Sequence, residues 1–364
     1  LMRGYGENLT LQDWLNTRIF PFEDKLTSEA VYYATLLAMA ESLRFGIVSS
    51  SDMYYFCDDM VRAVEESGAK ANISRSITSF AEGSVKNNDS YREAEALIRD
   101  YHGAAEGRIL IDASIHAEYT NTVTSMTEVA DLAKKYGVNM HVHVSETKQE
   151  HEECKARHGG RTPAQLLCDL GAFDTRTTAA HCVWAEEEDI EIFSEKGVTV
   201  VTCPVSNLKL ASGVCNVPAL MKKGVNVAIG TDSVASNNSL NFIEEMKFFA
   251  LLNKERRNDP TLITPKETLR AAARAGALSQ GREDCGVLAV GRKADLTVLD
   301  IGQPHMRPVH NLANNIVYSA SGSDVVLTMA DGRVLYRDGD FLTIDVEKAA
   351  AETERACRDI LRQL

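Results

Sequence analysis

Apolar and polar positions along the chain follow two alternating periods. TSEAVYYATLLAMAESLRF (27–45) carries an apolar helical face behind a Thr/Ser cap and stops at Gly46, and IVSSSDM after it reads as a short strand. The same order recurs. A helix predicted near 56–67 ends at Gly68 before AKANIS, one near 89–102 precedes RILIDASIH (108–116), and one near 124–136 ends at Gly137 before VNMHVHV. A helix at 163–170 ends at Gly171 before TTAAHCV (177–183), EEEDIEIFSEKG leads into VTVVTC (198–203), and VPALMKKG leads into VNVAIGTD (225–232). Seven strands separated by helices predict a parallel sheet in an α/β chain.

An open doubly wound sheet accepts seven strands, but its Gly-rich phosphate turn after the first strand is absent here. The polar residues gathered at strand ends favour a closed (β/α)8 TIM-like barrel instead, with its first strand expected upstream of Leu1. After helices near 239–252 and 265–279 the pattern changes. GVLAVGRKADLTVLD, NNIVYSA and DVVLTMADGRVLYRDG read as strands, with Asp331-Gly332 as a hairpin turn. The expected organisation is a barrel lacking strand one (1–284), the remnant of a small β-sandwich domain (285–345) and a C-terminal helix (346–364).

Composition narrows the partners. Net charge is −13, from 52 acidic against 39 basic residues, and no Lys/Arg cluster tracks a phosphate backbone, which argues against nucleic acid and anionic membranes. The eight cysteines are scattered without a C-x-x-C pair, which suits reduced thiols and a cytoplasmic protein. No apolar run is long enough to span a bilayer.

The chemistry stands at the strand ends. In MHVHVSETKQE (140–150), His141 and His143 share one face of a strand, and Glu146 follows just beyond it. Strand four ends at His116, strand six at His181 and strand eight at Asp232. Taken singly, an inward histidine is a hydrogen-bonded core residue, and Asp232 in GTDS caps a helix. Gathered on one rim they suit a zinc site with an open position for water, to which His143 and Asp232 can supply ligands. Glu146 is then free to carry protons, and His181 either binds the metal or steadies the attacking water. His102, His151, His158, His305 and His310 are read as solvated or structural.

HVHVSET, TTAAHCVW, TCPVSNLKLASG, IGTDSVASNNSLN and GRKADLTVLD, in this order, resemble the amidohydrolase superfamily, in the branch of 5-methylthioadenosine/S-adenosylhomocysteine deaminases and triazine chlorohydrolases. The resemblance runs from Leu1 to about Leu342. It implies one divalent metal, zinc with iron as the alternative, held by an H-x-H pair from strand one, His143 and Asp232. It implies further that Glu146 is the proton shuttle and His181 the contact to the attacking water. The H-x-H pair would precede a segment similar to LMRGYGENLTLQDWL, where this chain begins, so the resemblance implies a longer polypeptide. Strand four ends in Ser-Ile-His where other branches place a metal-bridging lysine, which favours a single metal.

For the substrate, the resemblance matches Glu23 to a ribose-binding glutamate, His116 to a substrate-contacting histidine and Arg75 to an arginine near the 5' substituent or carboxylate. Taken alone, Glu23 is an exposed acid near a helix start. The expected activity is hydrolytic deamination of an adenosine-type nucleoside: adenosine, 5'-deoxyadenosine, 5-methylthioadenosine or S-adenosylhomocysteine. The alternatives are a guanine or triazine amino- or chlorohydrolase, and a metal-free barrel without catalysis. A homo-oligomer is the expectation from the family.

Overall fold

The computed structural model describes residues 1–364. The strands expected from the sequence occupy seven positions of a curved parallel sheet. They are β1 (Ser49–Tyr54), β2 (Lys70–Arg75), β3 (Ile109–Ile111) continued by β4 (Ala113–Ser114), β5 (Met140–Val144), β6 (Thr177–His181), β7 (Thr199–Thr202) and β8 (Asn226–Ile229). β1, β2 and β3 pair in that order, as do β4 to β8, every pair parallel. The run read as RILIDASIH is interrupted at Asp112, where the amide donates to the Ile73 carbonyl at 3.0 Å and the carboxylate accepts from Asn72 at 2.8 Å. A parallel bridge between Ile77 and Ile115 carries the sheet across this break.

The strands alternate as a barrel requires. Met140, Val142 and Val144 are fully buried in the apolar core, which leaves His141 and His143 on the opposite face. Helices precede the strands, from Ser28–Arg44, capped by the Thr27 hydroxyl, to Val217–Lys222. The two ends of the arc, β1 and β8, do not pair with each other, and both line one large cavity. The architecture is therefore of the TIM-barrel type, opened along one seam. No helix is long and apolar enough to cross a membrane.

The C-terminal unit differs in part from the expectation. β9 (Leu296–Leu299), β10 (Val325–Ala330), β11 (Arg333–Arg337) and β12 (Asp340–Phe341) form one antiparallel sheet in the order β12-β11-β10-β9. Asp331 and Gly332 turn the hairpin with φ of 49° and 81°, the left-handed pair that a two-residue turn needs. NNIVYSA is not a strand. Its first five residues lie in the helix Leu312–Tyr318, because the Asn311 side chain caps the Asn314 amide and Asn315 donates to the Met306 carbonyl at 2.9 Å. The last helix, Val346–Leu361, packs on Ser28–Arg44, burying Ala349 and Ile360.

A buried ion cluster ties this unit to the barrel. Lys70, at the start of β2 and 2 % exposed, reaches Asp295 at 2.6 Å and Asp331 at 2.7 Å. Gly46 brings the first long helix against the same sheet, where its φ is 82° and a Cβ would stand 2.6 Å from Thr297 Cγ2. Lys70→Met leaves two carboxylates without their cation, and should lower the urea-unfolding free energy by about 3–5 kcal/mol. The triple variant Lys70→Met, Asp295→Asn, Asp331→Asn should recover part of that loss; an unchanged single variant would show the cluster to be idle.

Candidate active site

The side chains singled out at the strand ends converge in a cavity of about 940 Å³, lined among others by Glu23, His116, His141, His143, Glu146, His181 and Asp232. Backbone strain aims several of them. Ser145, His181 and Asp232 have φ of 49°, 69° and 59°, a region that residues with a Cβ seldom enter, and all three sit where strands end. Opposite His143 in the β5–β6 register stands Ala180, whose small side chain leaves room for the imidazole.

Each histidine presents one defined nitrogen. His143 Nδ1 lies 2.7 Å from the His116 carbonyl and His181 Nδ1 lies 2.8 Å from Asn207 Oδ1. Both partners accept, so both Nδ1 atoms donate and each Nε2 keeps its lone pair. Asn207 is oriented by donating to Thr202 Oγ1 at 3.4 Å, which leaves its oxygen for His181. Burial, followed by the neighbouring His181, holds the His143 pKa below its ordinary value. Burial pushes His116 down to about 3, with His143 and His181 adding to the effect. His143 and His116 are therefore neutral imidazoles at physiological pH, the form a metal binds.

The carboxylates divide. Burial works against the charge of Asp232, but His181, the Ser206 hydroxyl at 2.5 Å and the Ser233 amide at 2.6 Å more than offset it, and its pKa falls below the usual range. Burial and the charge of Asp232 raise Glu146 to about 7. Glu146 Oε2 stands 3.8 Å from His181 Nε2, and Ser212 donates to its other oxygen at 3.3 Å. An ionised Asp232 beside a carboxyl poised near neutrality is the pairing in which one group could hold a metal and the other move a proton.

The donor set fits a divalent ion. The cavity lining contains the acids Glu23, Asp52, Glu146 and Asp232, with Asp295 already paired to Lys70, and it has no lysine and one arginine, Arg282. That guanidinium is engaged at the barrel floor with the carbonyls of Gly107 and Arg108 at 2.8 Å. Buried negative charge at the mouth thus has no cation from the chain to match it. His143 and Asp232 would hold the ion, with His181 beside them. His141 lies deeper on the same strand, its Nδ1 buried without a partner.

Two substrate-contact expectations meet different outcomes. Glu23 lines the cavity half-buried, not exposed at a helix start; burial raises it to about 7 against hydrogen bonding from Tyr54 and Tyr55. Arg75 does not join the others. Its guanidinium pairs with Glu93 at 2.6 Å, donates to the Ser76 carbonyl and lies 4.8 Å from the Tyr55 ring centroid, and it does not line the cavity.

Sequence reasoning missed the residues that hold these groups. Asn207 and Ser206 lie in CPVSN, a motif to which no role was given, and Glu150 accepts from the Ser145 and Glu146 amides at 2.8 and 2.7 Å. His151 is buried, bonded to Ser145 Oγ and Glu186 at 3.1 Å each, and so is structural. The available signal was the T-x-x-E capping box, Thr147 to Glu150, at the start of the helix Lys148–Arg157.

A model of the amidohydrolase family matches residues 1–335. The chain belongs to the amidohydrolase family. A 5-methylthioadenosine/S-adenosylhomocysteine deaminase of Caldanaerobacter subterraneus is 41% identical over 363 residues, covering 100% of this chain and 83% of the relative. A 5'-deoxyadenosine deaminase of Methanosarcina mazei is 39% identical, covering 100% and 84%. The crystal structure of an adenosine deaminase from Xanthomonas campestris with bound zinc superposes with a TM-score of 0.93 at 32% identity, covering 100% of this chain and 82% of that one. In this amidohydrolase, Asn207→Leu should release the His181 tautomer. Imidazole nitrogen NMR should show a single Nδ1–H form in the wild type and a mixture in the variant, with metal affinity lowered about 10–100-fold. Identical spectra would remove Asn207 from the site.

Proposed function

We propose that the protein is a metal-dependent hydrolytic deaminase of adenosine-type nucleosides, releasing ammonia and the inosine analogue. The observation that carries this reading is the placement of Glu146 against His181, beside Asp232 and His143, in a cavity that also holds Glu23. The names of the relatives support it. A divalent ion, zinc or alternatively iron, would polarise a water at neutral pH. Glu146 accepts a proton from that water as it attacks C6 and delivers it to the ring nitrogen. The same carboxyl then takes the proton of the new C6 hydroxyl and passes it to the amino group, so that the C6–N bond breaks, ammonia leaves and C6 becomes a carbonyl. His181 Nε2 accepts from the attacking water while Asn207 holds the ring still. His116, its Nδ1 3.1 Å from Thr120 Oγ1, offers Nε2 to the base.

Glu23 accepts from the ribose hydroxyls on this reading, a role wasted on a bare ring. That favours a nucleoside over guanine or a triazine. Arg75, turned toward Glu93, leaves no arginine at the mouth for a carboxylate tail, which favours adenosine, 5'-deoxyadenosine and 5-methylthioadenosine over S-adenosylhomocysteine. A catalytic zinc takes three protein ligands as a rule. The unpaired edges of β1 and β8 beside the cavity suit an eighth strand, and further ligands on it belong to the same reading. A second layer on the small sheet, over exposed Val298 of β9, would complete the sandwich.

With zinc supplied, the full chain should release ammonia from adenosine and its 5'-deoxy and 5'-methylthio analogues, and Glu146→Gln should lower kcat by about 10²–10⁴-fold. Release from guanine or aminotriazines alone would overturn the nucleoside reading. No release from any substrate would leave a barrel without catalysis. Because Glu23 loses its charge as pH falls through about 7, the nucleoside KM should rise below that pH in the wild type. Glu23→Gln should abolish that rise and raise KM for nucleosides but not for free adenine; equal losses for both would deny the ribose contact.

A further inference from the structure

Behind the active site, three side chains that the chemistry above does not use meet in one place. Glu118 follows His116 by two residues and opens the short turn Glu118–Thr120, with its side chain 2 % exposed. Cys154 and His158 lie four residues apart at the end of the helix Lys148–Arg157, on one face of its last turn. Donor atoms of Glu118, Cys154 and His158 all lie within 4.8 Å of one another, and His158 Nε2 is 2.9 Å from Glu118 Oε1.

We propose that Glu118, Cys154 and His158 form a second divalent-metal site, separate from the catalytic one and suited to zinc. Carboxylate, thiolate and imidazole are the donor types that zinc combines, and metal–ligand bonds of about 2.0–2.3 Å need the three atoms to close by roughly an ångström. A four-residue spacing on a helix delivers two ligands to one ion. Arg157 does not block the site. It holds Glu118 Oε2 at 2.6 Å, and its longer contact to Oε1, 3.3 Å, leaves that oxygen to turn toward an ion. A carboxylate fixed through one oxygen and ligating through the other is a common outer-shell arrangement. The helix C-terminus adds a partial negative charge. His158, 22 % exposed, opens the site to solvent, so a water can take the fourth position.

Uptake would exchange protons for the ion. The Cys154 thiol, now donating to the Arg161 carbonyl at 3.5 Å, loses its proton to solvent, and the imidazole carries its proton on Nδ1 instead of Nε2. Affinity therefore rises with pH. The bound ion would staple the loop that bears His116 to the helix that begins just after Glu146, fixing the substrate contact relative to the proton carrier.

A thiolate ligand makes the site visible without any assay of activity, because the catalytic donors include no sulfur. Stripped full chain titrated with Co²⁺ should develop a near-ultraviolet thiolate-to-cobalt absorption whose final amplitude corresponds to one thiolate ligand per chain. Cys154→Ser should abolish the band and His158→Ala should weaken Co²⁺ binding at this site at least about tenfold, whereas Cys203→Ser, at the catalytic cavity, should leave it intact. Absence of the band in the wild type, or its survival in Cys154→Ser, would overturn the proposal. Neither result depends on whether the protein deaminates nucleosides.

Discussion

Two carboxylates buried in a cavity without a lysine set the terms for everything around them. Glu146 and Asp232 lie within electrostatic reach of each other, and the single arginine of the lining is committed to carbonyls at the far end. Burying such charge is unfavourable unless it is neutralised or matched. The chain resolves the conflict unequally. His181 and the hydrogen bonds from Ser206 and Ser233 keep Asp232 ionised, while burial and the charge of Asp232 move Glu146, with only a long bond from Ser212, toward the protonated form. That inequality would suit one group to hold a cation and the other to carry protons. It also leaves net negative charge for an external cation, next to imidazoles whose free nitrogens face the same space.

The fold serves this arrangement by fixing backbone where side chains must point. Strand β6 ends in the left-handed His181, and left-handed Ser145 and Asp232 follow β5 and β8 by one and three residues, so the chain turns sharply near Glu146, His181 and Asp232. Glu150 holds the first of these turns through two amides, and the capped helix behind it gives that carboxylate a rigid base. Far below, the Lys70 cluster locks the small sheet against the barrel floor, so the polar work at the mouth and the polar work at the base are done by separate groups.

Much of this was legible in the sequence because it obeys local periods. The alternation in MHVHV put His143 inward, and seven apolar runs after seven helical patterns located the strands to within a few residues. What escaped was long-range or competed locally. Nothing near Lys70 in sequence announces Asp295 and Asp331, and Asn207 gains its meaning from a histidine 26 residues earlier. NNIVYSA reads as a strand by its β-branched residues, yet an asparagine cap and one side-chain bond to Met306 are enough to coil it. Arg75 shows the limit of resemblance: the position matches, but Glu93 and the Tyr55 ring take the guanidinium away.

A divalent cation would match the buried charge between His143 and Asp232. Anomalous diffraction at the zinc absorption edge, from crystals of the zinc-loaded protein, tests it directly. A peak within bonding distance of His143 Nε2 and an Asp232 oxygen is expected. A map without a peak there, from protein whose histidines and carboxylates are otherwise ordered as described, would contradict it.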